Sequence, residues 1–345
     1  MKDIHTVQID LNWDLFATIN RLERFEGSWN AIAKTEGRTL KELKSIATVR
    51  SVGASTRIEG SKLTDEEVDH LLQFLNIQKL TERDTQEVVG YFEVLELITS
   101  SSADIMITEN SIKDLHNRIL KFSEKDEWHR GDYKQHPNHV EATLPDGSKQ
   151  IIFQTTPPGF PTDDAMRSLL EWYHSNNQAH PLIKCAVFVY EFLSIHPFQD
   201  GNGRLSRLLA TLLLMKNGFT WIQYISFEHE IENRKTEYYA VLRACQNNRP
   251  HEEVTPWVHF FLNCIDHLQQ LLMDKLQSSG AEAALSPRVK SILVVIRERP
   301  GIQSGELAQR LGIPIPTVKR ILTDLVNQQL IQKKGIGRGT SYQVK

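Results

Sequence analysis

The sequence is poor in the features that would place it outside the cell or in a membrane. Its 345 residues hold three cysteines, Cys185, Cys245 and Cys264, with no CxxC spacing and an odd count. That argues against a disulfide framework and fits a reducing compartment. Apolar stretches such as Leu208–Met215, interrupted by Thr211, fall far short of the roughly 20 residues of a membrane span. The opening stretch MKDIHTVQIDLNWD has no apolar segment of the signal-peptide kind. Charge of one sign is also missing. The formal net charge is −3, so the whole-chain value calls for neither a nucleic acid nor a membrane surface. The expectation is a soluble, cytoplasmic protein with no membrane partner.

What is present is ordinary globular composition, 40% apolar and 24% charged, arranged with the period of helices. Apolar residues recur three and four apart over 11–33 and 39–55. Thr64 and Glu67 read as a capping box that opens a helix over 65–76. Further helices are predicted near 85–100, 109–121, 163–176, 180–194, 203–216, 230–247 and 255–277. Residues 128–160 break the pattern. They are turn-rich, with Pro137-Asn138, Pro145-Asp146-Gly147 and Pro157-Pro158-Gly159. The run Gln150–Gln154 after the Asp146-Gly147 turn suggests a small β-hairpin. There is no fixed-period repeat and no low-complexity tract.

Residues 278–285, SSGAEAAL, read as a linker of small residues. Beyond it the charge changes sign. Residues 285–345 hold eleven Lys/Arg and three Asp/Glu, a net of +8; the other 284 hold 29 and 40, a net of −11. The asymmetry marks a separate module. Within it, 286–299 predicts a helix ended by Pro300-Gly301. Ser304–Ala308 opens a second helix that stops at Gly312, and Pro316-Thr317 starts a third. Leu330-Ile331 and the stretch to Val344 suggest a two-stranded wing. The order resembles a winged helix-turn-helix domain. Its charge suits a duplex, but only Lys319 and Arg320 mark the third helix as basic. DNA or protein therefore remains the open alternative for 286–345.

The segment Ser194–Arg207, SIHPFQDGNGRLSR, carries the chemistry. An apolar helix runs into His196, a short Pro/Gly loop follows, and a second helix starts near Gly203. Gly201 and Gly203 let backbone N–H groups approach an anion with no Cβ in the way. The next helix offers that anion its N-terminal N–H groups and positive dipole end. Arg204 and Arg207 share one face and suit phosphate oxygens, so the candidate nucleotide-binding stretch is Gly201–Arg207, with Leu205 and Ser206 inside it. Asp200 is the candidate Mg²⁺ ligand, because a lone carboxylate beside phosphates usually holds that ion. His196 is the candidate general base for a hydroxyl. Asn202 can donate to a phosphate oxygen as charge builds there.

HPFQDGNGR followed by Arg207 resembles the signature of the Fic (filamentation induced by cAMP) family, HPF-x-[DE]-GNGR-x-x-R, at every defined position. The resemblance implies a mainly α fold, an all-helical core with a β-hairpin flap. It also implies ATP with Mg²⁺ and AMP transfer to Ser, Thr or Tyr hydroxyls of a target protein. It makes His196 the base, Asp200 the metal ligand, Asn202 an α-phosphate contact, and Arg204 and Arg207 the β- and γ-phosphate contacts. One branch of the family has Lys at the position of Gly203 and acts as a kinase; Gly203 favours AMP transfer. Ser55–Gly60, STRIEG, fits the family's inhibitory motif [ST]-x-x-x-E-[GN]. That match implies that Glu59, with Ser55 and Gly60 around it, pairs with Arg207 and blocks the γ-phosphate. The family's flap, expected in 128–160, takes the target segment as an added strand. Tyr238 or Tyr239 is the expected aromatic near the adenine. The implied division is 1–110, an N-terminal helical region with the inhibitory motif at 55–60; 111–277, the Fic core; 278–285, a linker; and 286–345, a winged helix.

Three other readings stay open on the sequence: transfer of a different phosphate-containing group, removal of AMP by the same site, and a transcription regulator that binds nucleotide as a signal. A homodimer is a further open partner.

Overall fold

Helices form where the apolar positions recur, and most begin at a residue that can cap them. The computed structural model describes residues 7–74, 80, 82–143, 149–283, 286–327, 330–335 and 337–344. Helix α1 (Trp13–Thr35) starts at Asn12, whose side chain accepts from Leu15 N at 3.1 Å. It buries Leu15, Ile19, Leu22, Phe25 and Trp29. Helix α2 (Gly37–Ile58) ends in small buried residues, Ser51, Gly53, Ala54, Ser55 and Thr56, which let its last turns approach their neighbours closely. Gly60, at φ 111°, turns the chain just after Glu59. The capping box of Thr64 and Glu67 opens α3 (Asp65–Gln73).

Helices α4 (Arg83–Ser101) and α5 (Glu109–Ile119) cross at Gly90, where a Cβ would run into the Ile119 carbonyl. Between α5 and the next helix, β1 (His139–Thr143) pairs antiparallel with β2 (Lys149–Gln154), from His139↔Gln154 to Thr143↔Lys149. This is the hairpin expected from the turn-rich region. The Asp146-Gly147 turn itself lies outside the described residues.

Helices α6 (Phe160–Ser175), α7 (Pro181–Ile195) and α8 (Asn202–Lys216) follow. From Leu182 to Ile195, Lys184 alone escapes burial. A helix apolar on all sides is a core helix, and it delivers His196 from the interior.

One helix over 230–247 was expected. The structure has two, α9 (Phe227–Asn233) and α10 (Lys235–Gln246). The break falls at Arg234 (φ −107°, ψ 23°). Its guanidinium is pinned by Glu237 at 2.8 Å and lies over the Phe260 ring. Helix α11 runs from Thr255 to Ala283. The expected linker is therefore helical as far as Ala283, where alanine and glutamate favour continuation; residues 284–285 lie outside the described residues.

Two compact units result, residues 1–272 and 273–345. The mainly helical first unit takes in both the segment of the inhibitory motif and the segment of the signature. In the second, α12 (Pro287–Glu298), α13 (Ser304–Leu311) and α14 (Ile315–Asn327) enclose Ile292, Ile296, Leu307, Val318 and Leu322. Strands β3 (Ile331–Lys334) and β4 (Ser341–Val344) form the wing, paired from Ile331↔Val344 to Lys334↔Ser341. Gly312, at φ 63°, stops α13. Among the described residues, no helix is long and apolar enough to cross a membrane.

Candidate active site

His196 is the C-cap of α7 and has φ 54°, ψ 60°; among the described residues it alone has a positive φ without being glycine. The left-handed conformation costs a side-chain-bearing residue about 1–2 kcal/mol. It turns the chain out of the helix and into the loop that leads to α8. Gly201, at φ 78°, closes that loop as the N-cap of α8.

The loop is braced from within. Asn202 is 1% exposed. Its Oδ1 accepts from Phe198 N at 2.9 Å, and its Nδ2 donates to Phe198 O at 2.7 Å. Asn202 is thus first of all a loop clamp. A second brace is His116 of α5, which carries no signal in the motif. Its ring stacks on Phe198, with centroids 3.7 Å apart and planes 10° from parallel. Gly131 N donates to its Nδ1 at 2.9 Å, so the hydrogen sits on Nε2, 2.9 Å from the Asp200 carbonyl it bonds. Burial pushes the His116 pKa down to about 4, so the ring is neutral and the tautomer is set.

His196 is neutral for the same reason. Burial first, then the nearby charge of Lys134, push its pKa down to about 4. Its Nδ1 lies 3.3 Å from the Leu193 carbonyl. A carbonyl can only accept, so Nδ1 carries the hydrogen and Nε2 keeps a lone pair.

Asp200 is half-exposed and paired with two arginines, Arg83 Nη2 at 3.2 Å and Arg204 Nη2 at 3.4 Å. Burial works against its charge, but Arg204, the Gly201 N–H and Arg83 outweigh it and hold its pKa below the usual value. Glu87, 3.2 Å from Arg204 Nη1 and 2.8 Å from Arg83 Nε, completes the network. Neither Arg83 nor Glu87 was legible as a site residue. Arg204 is 2% exposed; its Nη1 faces Glu87, but its Nε makes no hydrogen bond among the described residues. A buried donor without a partner is costly, and an anion at the start of α8 would satisfy it.

Two residues of the segment 55–60, Ser55 and Glu59, meet Arg207. Its Nη2 lies 2.8 Å from Glu59 Oε1 and donates to Ser55 O at 3.0 Å; its Nε donates to Ser55 Oγ at 2.9 Å. Burial opposes the charge of Glu59, but Arg207 and then Arg204 hold its pKa below the usual value. A Cβ at Gly203 would run into Glu59 Oε1. A side chain at Gly203 would thus displace the Glu59 carboxylate.

Of the expected nucleotide-binding stretch, Leu205 is a core residue and its N–H bonds the Gly201 carbonyl at 2.9 Å. Ser206 Oγ is turned back on the Gly203 carbonyl at 2.7 Å. Tyr238 is likewise a core residue, 4% exposed and packed on Trp257 and Phe260. Tyr239 is half-buried and stands edge-on to it.

Residues 106–214 match the Fic/DOC family model, and 285–332 match a winged helix-turn-helix DNA-binding model. A protein adenylyltransferase Fic from Drosophila sechellia is 24% identical over 259 residues, covering 74% of this chain and 48% of its own. The chain spans about half the length of the curated relatives it matches. A crystal structure of a Fic family protein from Desulfovibrio desulfuricans G20 is similar over 97% of both chains, at 22% identity and TM-score 0.64. A Fic domain containing signaling protein from Bacteroides thetaiotaomicron is similar over 74% of this chain and 96% of its own, at 24% identity and TM-score 0.59. The chain has a Fic-family fold with adenylyltransferase homologues. Its C-terminal unit is a winged helix-turn-helix domain.

Proposed function

We propose that the first unit transfers the AMP of ATP to a Ser, Thr or Tyr hydroxyl of a target protein, and that Glu59 holds this activity down. The observation that carries the reading is the neutral His196, with its Nε2 lone pair, beside the N-terminus of a helix that presents Arg204 and Arg207. In this reading His196 Nε2 takes the proton of the target hydroxyl. The hydroxyl oxygen bonds to the α-phosphorus, and pyrophosphate leaves. The first N–H groups of α8 lie where the charge on the α-phosphate oxygens grows. Arg204 and Arg207 take the β- and γ-phosphates, and Tyr239 borders the adenine.

Asp200 would hold Mg²⁺, which when bound would neutralise negative charge on the phosphates. The donor set fits: Asp200 is a half-exposed carboxylate kept ionised by Arg204 and Arg83, and Mg²⁺ is commonly held by one carboxylate, phosphates and water. The two-stranded flap supports the target reading, since an extended segment can add to a sheet edge by main-chain hydrogen bonds.

For residues 286–345 the proposed partner is duplex DNA. The support is the family match, the net +8 from Leu285 onward, and four exposed cations, Lys319 and Arg320 on α14 and Lys333 and Lys334 on β3.

Intact-mass spectrometry tests the activity. The Glu59→Gly variant with ATP and Mg²⁺ should gain the mass of AMP, and adding His196→Ala should prevent the gain. A phosphate-sized gain, or none, contradicts the reading.

A further inference from the structure

Behind His196 lies a lysine outside every motif. Lys134 is 2% exposed, and among the described residues it makes no ion pair. Its Nζ, with three hydrogens to donate, lies within hydrogen-bond reach of four neutral oxygens: Asn138 Oδ1 at 2.8 Å, Thr155 Oγ1 at 2.8 Å, Ile195 O at 3.1 Å and His196 O at 2.9 Å. Its own backbone N donates to Pro197 O at 2.8 Å. One residue thus holds three successive carbonyls, those of Ile195, His196 and Pro197.

The other two oxygens belong to the feet of the flap. Asn138 immediately precedes β1, and Thr155 immediately follows β2. Thr155 Oγ1 lies 2.8 Å from Asn138 O, and Asn138 Nδ2 donates to Phe198 O at 2.8 Å. The flap is therefore anchored on the loop that carries the base, and Lys134 is the centre of the anchor.

Physical reasons favour a cation here. The last carbonyls of a helix lack partners within it and form the negative end of its dipole. The cation meets both conditions at the end of α7. His196 is strained at φ 54°, and such a conformation persists only where the surroundings over-determine it. Carbonyls held on both sides of that residue do so.

We propose that Lys134 is a positioning residue for the transfer reaction: its ammonium clamps the strained His196 peptide and both feet of the flap, and so registers the base against the strand that presents the target hydroxyl. This rests on the AMP-transfer reading above. Burial pushes the Lys134 pKa down to about 7, and the oxygens around Nζ favour the charged form. The charge also helps to keep His196 unprotonated.

The test compares Lys134→Met and Lys134→Arg in the full chain carrying Glu59→Gly. Lys134→Met should lower kcat for label uptake from α-labelled ATP by about 10²-fold, the scale of a 1 Å misplacement. KM for ATP should change less than about twofold, because the phosphate contacts lie on α8. Lys134→Arg should restore most of the rate. Amide hydrogen exchange should quicken over residues 138–155 and not across the rest of the first unit. Unchanged kcat, or exchange that quickens everywhere alike, overturns the proposal. If Lys134→Met does not fold, Thr155→Val removes only a flap-side acceptor and should give the same split in milder form; an unchanged rate and unchanged flap exchange overturn the proposal. If Glu59→Gly itself takes up no label, the AMP-transfer reading has failed, and the exchange data alone decide whether Lys134 anchors the flap.

Discussion

Glu59 Oε1 stands 2.8 Å from Arg207 Nη2, across 148 positions of sequence, and occupies the space that a Cβ at Gly203 would need. Ser55 takes Arg207 Nε and also accepts from Nη2. In the proposed reading, a guanidinium held in this way is not seated for a γ-phosphate, and transfer that depends on positioning slows. Glu59→Gly should raise self-labelling well above wild type. Arg207→Ala should not mimic it, since it also removes the phosphate contact, and the double variant should follow Arg207→Ala. An unchanged rate in Glu59→Gly would leave Glu59 as a helix-end residue.

Gly203→Ala offers an independent approach to the same contact. The new Cβ should displace the Glu59 carboxylate. The rate of Gly203→Ala relative to Gly203 should therefore be higher in the wild-type background than in Glu59→Gly, where nothing is left to displace. Equal ratios in the two backgrounds would mean that Glu59 does not sit against α8 in solution.

His196→Ala should cost roughly 10²–10⁴-fold in transfer, the usual range for a lost general base. ATP affinity, read by calorimetry, should stay largely intact. Near-normal transfer would remove His196 as the base.

The pH profile follows from burial. A base works unprotonated, and the His196 pKa is depressed from 6.5 to about 4. For Glu59→Gly, kcat/KM should be flat from neutral pH down to about pH 5 and fall only as pH approaches 4. Circular dichroism can check that the fold survives. A fall centred near 6.5 would mean an ordinary, hydrated imidazole.

The second unit has its own test. If it binds duplex DNA, log affinity should fall linearly with log salt concentration. Replacing Lys319 and Arg320 together by Gln should weaken binding and flatten that slope; so should replacing Lys333 and Lys334. A salt-independent affinity, or none, speaks for a protein partner.

The signature was legible because it is local. Base, loop glycines and arginines follow one another in sequence, and a helix start brings them together. The pairing of Glu59 was legible only by resemblance, since its partner Arg207 lies 148 positions away. The braces were hidden. His116 sits on the buried face of α5 among Ile112, Leu115 and Ile119, where a lone histidine reads as core. Lys134 lies in a polar, turn-rich stretch, where a lysine reads as solvated. The break at Arg234 was masked because buried Ile231, Tyr238 and Leu242 continue a helical spacing across it. Which of Tyr238 and Tyr239 faces inward was decided by Trp257 and Phe260 of α11, which no local pattern names.

The most direct measurement is parallel incubation of the Glu59→Gly chain with ATP labelled at the α- or the γ-phosphate, with and without His196→Ala. The account predicts protein-bound label from α-labelled ATP only, and its loss with His196→Ala. Label from the γ-phosphate, or α-label that survives His196→Ala, would contradict it.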